Sequence, residues 1–269
     1  MIRVGLIGHG KAGQAVATVL KQDPRFALRW IARRQGEVGQ DNDGVPLLPL
    51  ARVLTDDWLS AHPVDGVIDF SSRESIHIYG AVARARRWAL VSAISAYDDG
   101  DLTFAQHLAR DIRVLCSPNI TIGINFMMVA ARLLRQIAPH ADVEILEQHF
   151  RDKPEVSGTA RKLAKQLDLD EDRITSLRLG GIVGHHEVIF GFPYQTVRIV
   201  HEAIRREAFG TGAAFAISEL LQQPAGFYRF EDLLHQRLHE DLARPVFAAP
   251  PGQQKGARRP LEDTVDTAS

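Results

Sequence analysis

The chain has 269 residues, 45% of them hydrophobic and 24% charged, enough to bury a sizeable core in one large or two modest domains. Its 32 Lys and Arg against 33 Asp and Glu leave a formal net charge of −1, so no global basic field recruits nucleic acid or an anionic membrane. One cysteine excludes an intrachain disulfide, no apolar run reaches bilayer length and no signal-peptide pattern precedes the first strand, so the expectation is a cytoplasmic protein with no membrane partner.

The first apolar run, Arg3-Val4-Gly5-Leu6-Ile7, leads into Gly8-His9-Gly10-Lys11-Ala12-Gly13 and then a helical pattern over residues 14–20. Strand, glycine turn and helix in that order form the context that lifts Gly-x-Gly-x-x-Gly above coincidence and predicts a dinucleotide site. Gly8 suits the tight turn, Gly10 the approach of a pyrophosphate, Gly13 the packing of helix on strand; the plain alternative is a structural turn. The next strand, 26–32, ends in Arg33-Arg34, where the fingerprint expects an acid for the ribose 2′-hydroxyl. Glu37 is displaced into the following loop. Two guanidiniums suit a 2′-phosphate, which predicts NADPH in preference to NADH.

Strand-like runs at 64–70, 89–93 and 114–116 alternate with helix-like runs at 75–86 and 102–110. This alternation predicts an α/β fold with a Rossmann-type parallel sheet and a ligand site beyond the carboxyl ends of its strands. Phe70 and Ser71 stand at one such end and Ala93 and Ser95 at another, as candidates for the nicotinamide half of the cofactor. Ser117 and Asn119, after the strand at 114–116, are further cofactor-binding candidates. Cys116 ends that strand and reads as a buried thiol, not a nucleophile.

Beyond Asn119 the texture changes. A helical pattern at 126–137 precedes strand-like runs at 143–146, 174–179, 186–190 and 195–200, with one helix at 160–167 between them. Strands with few helices predict a smaller α+β domain with a mixed or antiparallel sheet, and an Ala-rich helical pattern at 210–221 reads as packing back on the first domain. The expected division is 1–118 for the dinucleotide-binding domain, completed by 206–234, and 119–205 for a substrate and oligomerisation domain. Residues 235–269 form an extension, in which 235–242 reads as prolonging a helix and 245–269, rich in Pro, Gly and charge, as a flexible tail.

The segment Glu147-Gln148-His149-Phe150-Arg151-Asp152-Lys153, followed by Pro154-Glu155-Val156-Ser157-Gly158-Thr159-Ala160, carries the densest chemistry. A strand ends and a helix begins around it, so open backbone N–H groups can hold a carboxylate, while His149 and Lys153 can supply protons. The competing reading is a solvated helical face, since the two lie four residues apart. His185-His186 lack the spacing and companions of a metal site, so none is expected.

Together these motifs resemble the dihydrodipicolinate reductase family. The resemblance runs from the glycine turn through Val67-Ile68-Asp69-Phe70-Ser71 and Ser117-Pro118-Asn119-Ile120-Thr121-Ile122-Gly123-Ile124-Asn125. It continues through Glu147-Gln148-His149, Ser157-Gly158-Thr159-Ala160, Gly181-Ile182-Val183-Gly184-His185-His186-Glu187-Val188 and His201-Glu202-Ala203. It implies a two-domain NAD(P)H-dependent reductase of the lysine pathway, commonly a tetramer formed through the second sheet, acting on a cyclic imine-type dicarboxylate. By the resemblance, Lys153 with His149 protonates the ring nitrogen as hydride arrives. Ser157, Gly158 and Thr159 hold a substrate carboxylate, and Ser95 stands beside substrate and nicotinamide.

The departures fall on the contacts. Phe150 replaces a second histidine, the stretch Pro154-Glu155-Val156 is one residue shorter than the family's, and Ala93-Ile94-Ser95-Ala96 replaces a Gly-Thr-Thr-Gly loop. An aromatic ring cannot donate a hydrogen bond to a carboxylate, so an alternative is a reductase of a less polar cyclic imine. A third reading, of another class, is a non-catalytic NADPH sensor.

Overall fold

The computed structural model describes residues 1–242; the expected flexible stretch from about 245 lies outside them. In chain order the elements are β1 (Ile2–Ile7), α1 (Lys11–Gln22), β2 (Phe26–Arg33), β3 (Gly39–Gln40), β4 (Pro46–Pro49), α2 (Leu50–Val53), α3 (Asp56–Ala61) and β5 (Gly66–Asp69). There follow α4 (Ser75–Ala85), β6 (Ala89–Ser92), α5 (Asp99–Leu108), β7 (Arg113–Cys116), α6 (Ile122–Ile137), β8 (Asp142–His149) and α7 (Gly158–Leu167). The last are β9 (Ile174–Arg178), β10 (His185–Phe192), β11 (Gln195–Glu202), α8 (Glu207–Leu220), β12 (Gly226–Tyr228) and α9 (Phe230–Leu242).

The first sheet has eight strands in the order β12-β7-β6-β5-β1-β2-β4-β3, parallel except where β3 meets β4. Its central strands β5 and β6 are buried at every residue, as a sheet covered on both faces requires. The two-residue period divides them cleanly. Leu6, Ile68 and Val91 pack on one face with Val16 of α1 and Ile217 of α8. Ile7, Val67 and Leu90 pack on the other with Tyr79 of α4 and Leu108 of α5. The small residues of α8 let it lie close: a Cβ on Gly212 would fall 1.7 Å from the carbonyl oxygen of Ile120.

The second sheet is mixed, in the order β11-β10-β8-β9, with β10 antiparallel to β8 and β11 and β8 parallel to β9. Along β8 alternate residues are buried. Val143 and Ile145 pack against Ile124 and Met128 of α6 and Leu163 and Leu167 of α7. Glu147 and His149 continue this inward row.

Three differences from the sequence reading have local causes. Helix α6 begins at Ile122 rather than 126, because Gly123 serves as a contact and not a breaker: the His201 ring lies 2.6 Å from where its Cβ would stand. Helix α8 begins at Glu207 rather than 210, with the Glu207 carboxylate in the first turn where the helix dipole favours it. The elements β3, β4, α2, α3 and β12 were not anticipated. β3, β4, α2 and β12 have two to four residues and α3 has six, too few for a period to show.

Candidate functional site

At the carboxyl edge of the first sheet, the glycine turn joins β1 to α1. Gly8 has φ +102°, and a Cβ there would lie 2.6 Å from the Phe70 carbonyl. A Cβ on Gly13 would lie 2.1 Å from the Gly8 carbonyl oxygen, so the turn is wedged between the exit of β5 and the first turn of α1. Gly10 caps α1 without a side-chain hydrogen bond and has open space where a Cβ would project. The free N–H groups of α1 therefore face room for an anion, which fits the pyrophosphate of a dinucleotide.

Beside this turn lies a cleft of about 500 Å³, lined by Ala12, Arg34, Phe70, Ser71, Ala93 and Ser95. Arg73, also on its rim, is paired with Asp98 and Asp101. Under the cleft Asp69 is fully buried; its Oδ1 accepts from the Ser71 backbone N–H at 2.9 Å and its Oδ2 from the Tyr79 hydroxyl at 2.7 Å. Burial pushes this carboxyl up to about 6, against the lowering pull of Ser71 and Tyr79. Cys116 is half-buried, and burial followed by the nearby Asp69 pushes its thiol up to about 12, so it stays neutral.

Other candidates from the sequence stand elsewhere. The Arg33 guanidinium turns back to the Glu37 carbonyl at 2.5 Å, leaving Arg34 as the arginine at the cleft. His9 faces a separate cavity with Lys21 and Asp41; desolvation lowers its pKa, opposed by Asp41 and assisted by Arg33 and Lys21. Lys11 lines a shallow cleft with Arg205 and Arg206 on the outer side of α1. Ser117 is buried and donates to the Asn119 carbonyl at 2.7 Å, which also accepts from the Asn125 amide at 2.8 Å.

The second centre gathers at the end of β8. Glu147 is fully buried, and its carboxylate receives Arg178 of β9 through both oxygens at 3.0 and 2.8 Å. His149, 8% exposed, places its Nδ1 2.5 Å from Glu147 Oε2. Burial raises the Glu147 pKa, but bonds from Arg178, Ser176, His149 and the Ser157 backbone outweigh it and bring the carboxyl down to about 2. Lys153 is half-buried in the connection that follows; its N–H donates to the Phe150 carbonyl at 3.1 Å. His149 ends a strand and Lys153 stands in a turn, so the shared helical face considered from their spacing does not exist. The Phe150 ring is 45% exposed.

Ser157, expected to touch substrate, is buried with its hydroxyl 2.8 Å from His186 Nε2. Burial first, then the neighbouring His149 and His201, lowers the His186 pKa to about 3 and keeps that ring neutral. Gly158 and Thr159 open α7, whose N-terminus has no side-chain cap and, at Gly158, open space outside it. Thr159 Oγ1 reaches Asn119 Oδ1 at 3.4 Å and ties this helix start to the edge of the first sheet. Among the described residues no group of three or more His, Cys, Asp or Glu is arranged to hold a metal, and no helix is long and apolar enough to cross a membrane.

Sequence reasoning missed Arg178 and Ser176, named Asp69 only as part of a strand-end motif, and gave Glu147 no role. For Glu147 a signal was present: in a strand, residues i and i+2 share a face, so Glu147 and His149 were already a carboxylate–imidazole pair.

A dinucleotide-type turn, a cleft at the strand ends and a buried histidine beside a lysine and an open helix N-terminus define the class: a nucleotide-dependent oxidoreductase built on two sheets. Comparison with known proteins gives the family. The pattern described as "Dihydrodipicolinate reductase, N-terminus" matches residues 2–120, and "Dihydrodipicolinate reductase, C-terminus" matches 121–234. The chain is 31% identical over 258 residues to the 4-hydroxy-tetrahydrodipicolinate reductase of Caldanaerobacter subterraneus subsp. tengcongensis, covering 87% of this chain and 98% of the relative. It is 30% identical over 218 residues to that of Thermosipho africanus, covering 79% and 98%. The fold matches the structure titled "Dipicolinate bound Dihydrodipicolinate reductase from Paenisporosarcina sp. TG-14" with a TM-score of 0.70 at 21% identity, over 85% of this chain and 97% of that one. The chain belongs to the dihydrodipicolinate reductase family.

Proposed function

We propose that this enzyme uses NADPH to reduce a cyclic imine-type dicarboxylate, 4-hydroxy-tetrahydrodipicolinate or dihydrodipicolinate, in the diaminopimelate route to lysine. The observation that carries the reading is the grouping of His149, Lys153 and the uncapped start of α7 at one end of the second sheet, joined through Thr159 and Asn119 to the edge of the first. The N–H groups at Gly158 and Thr159 suit a substrate carboxylate. Gly8, Gly10 and Gly13 with the start of α1 would hold the pyrophosphate, and Phe70, Ser71, Ala93 and Ser95 the nicotinamide side, with Asn119 at the junction. The bound nicotinamide supplies a hydride. Hydride arriving at an imine carbon leaves negative charge on nitrogen, and Lys153, assisted by His149, donates the proton that neutralises it. The Arg34 guanidinium at the cleft supports a preference for NADPH through its 2′-phosphate.

Residues 1–118 with 206–234 serve as the cofactor domain and 119–205 as the substrate domain. The outer face of the second sheet presents Leu177 on β9 and Val200 on β11, 38% and 51% exposed, with the ion pairs Arg198–Glu187 and His185–Glu202 across β10 and β11. That face supports a homodimer or tetramer, which light scattering of the purified protein checks. The functional test is NADPH consumption with freshly generated substrate; no turnover on any cyclic imine overturns the reading. The exposed Phe150 ring favours a second reading, a less polar imine. Turnover of imines with one carboxylate or none, and not of the dicarboxylate, selects it.

A further inference from the structure

We propose that Glu147 and Arg178 are positioning residues that set the proton-donor segment: the carboxylate dictates which nitrogen of His149 turns toward the site, and the guanidinium fixes the backbone that carries Lys153. The inference rests on the imine-reduction reading and deepens it.

One carboxylate gathers five contacts. Glu147 Oε1 accepts from the Ser157 N–H at 3.2 Å, the Ser176 hydroxyl at 2.8 Å and Arg178 Nη2 at 2.8 Å. Oε2 accepts from Arg178 Nη1 at 3.0 Å and faces His149 Nδ1 at 2.5 Å. An ionised carboxylate only accepts, so the shared proton belongs to His149 Nδ1. Nε2 is then the nitrogen free for chemistry, and it points toward Gly184, whose Cβ, if it had one, would lie 3.3 Å away. Gly184 leaves clearance where a larger residue would press on that atom.

The same guanidinium holds the segment. Arg178 Nε donates to the Lys153 carbonyl at 3.0 Å and Nη2 to the Glu155 carbonyl at 2.8 Å. With the Ser157 N–H on Glu147, the backbone is pinned at three alternate residues between Lys153 and the start of α7. These partners come from β8, β9 and the connecting segment, so the ion pair closes the loop against the sheet. A merely structural role would be met equally well by an apolar pair of similar volume. The position of His149 and of Lys153 would not.

The experiment uses the full chain, with 15N NMR of the His149 ring and steady-state kinetics on Glu147→Gln, Arg178→Lys and Ser176→Ala. Ser176 is exposed, so its variant keeps the test open if either larger change prevents folding. Glu147→Gln is expected to shift the His149 ring away from the Nδ1-protonated form. Its kcat should fall at least about tenfold, a part of the roughly 100- to 10,000-fold a positioned proton donor supplies, with NADPH affinity held to about twofold because that site is remote. Arg178→Lys keeps a charge for Glu147 but loses the fork, and is expected to keep the tautomer while raising KM for the imine about tenfold. Ser176→Ala should move both readouts in the direction of Glu147→Gln and less far. An unchanged tautomer and kcat in Glu147→Gln, or an unchanged KM in Arg178→Lys, overturns the positioning role. If the unaltered enzyme turns over no imine, the functional reading fails, and the NMR result still decides the tautomer.

Discussion

Two carboxylates stand fully buried at the carboxyl ends of strands, one in each sheet, and their surroundings drive them in opposite directions. Asp69 beneath the cofactor cleft is met by neutral donors, the Ser71 N–H and hydroxyl and the Tyr79 hydroxyl, and burial wins: its pKa rises to about 6. Glu147, likewise closed to solvent, meets a guanidinium on both oxygens, and its pKa falls to about 2 because Arg178 and the other donors outweigh the rise from burial. The difference shows that depth alone does not decide ionisation; the charge of the partner does. It also separates the tasks of the two regions. On the proposed reading, the first sheet would offer backbone N–H groups and hydroxyls to a nucleotide, whereas the second would keep a charge to orient an imidazole.

The largest effect expected is on turnover. Lys153→Ala should lose about 100- to 10,000-fold in kcat while binding NADPH as before, because the first site is untouched; stopped-flow turnover with fluorescence titration of NADPH checks both halves. Next is stability at the second site. Glu147→Ala leaves the half-buried Arg178 without its partner and should cost about 3 kcal/mol, the low end for breaking a buried pair, whereas a Glu147→Leu, Arg178→Met double variant should recover most of that stability without recovering activity. Urea denaturation measures the first part and an assay the second.

A pH series on Asp69→Asn separates the carboxylates further. The folded-state pKa of Asp69 is raised from 3.8 to about 6, so between those values the unfolded chain is ionised while the folded one holds its proton. Stability therefore falls as pH rises through that window, and the penalty is complete above it. Asp69→Asn should gain on the parent protein through that range, reaching about 3 kcal/mol by pH 8. Glu147 has the opposite sign: its contribution is present above 4.5 and lost as pH falls toward about 2. The smallest effect concerns the cofactor. Arg34→Ala should reduce the NADPH over NADH ratio of kcat/KM by about tenfold, the worth of one charge-assisted contact, while Arg33→Ala should change it little because that guanidinium is spent on Glu37.

The two regions also differed in how far the sequence revealed them. The glycine turn was legible because its parts are contiguous: β1, Gly8 to Gly13 and α1 follow one another, and the geometry at Gly8 and Gly13 follows from local sterics. The parallel sheet was legible for a similar reason, since strand-like and helix-like runs alternate along the chain. The Glu147 network was only half legible. His149 and Lys153 lie in one segment, but Arg178 arrives from β9 through the pairing of His149 with Arg178, and a parallel register is a tertiary fact. Arg33 and Arg34 show the same limit at smaller scale. Adjacent in sequence, they point differently, because Arg33 ends β2 and folds over Gly36 whereas Arg34 enters the loop at the cleft. The bond from the Ser157 hydroxyl to His186 was equally hidden, because His186 is brought by β10.

The most direct measurement is NADPH oxidation by the purified protein with freshly generated 4-hydroxy-tetrahydrodipicolinate, run in parallel with Lys153→Ala. The account expects saturable turnover by the parent protein and loss of turnover, with NADPH still bound, in the variant. Equal turnover by both proteins, or none by the parent on any cyclic imine, would contradict the assignment of the second-sheet site as the proton donor of imine reduction.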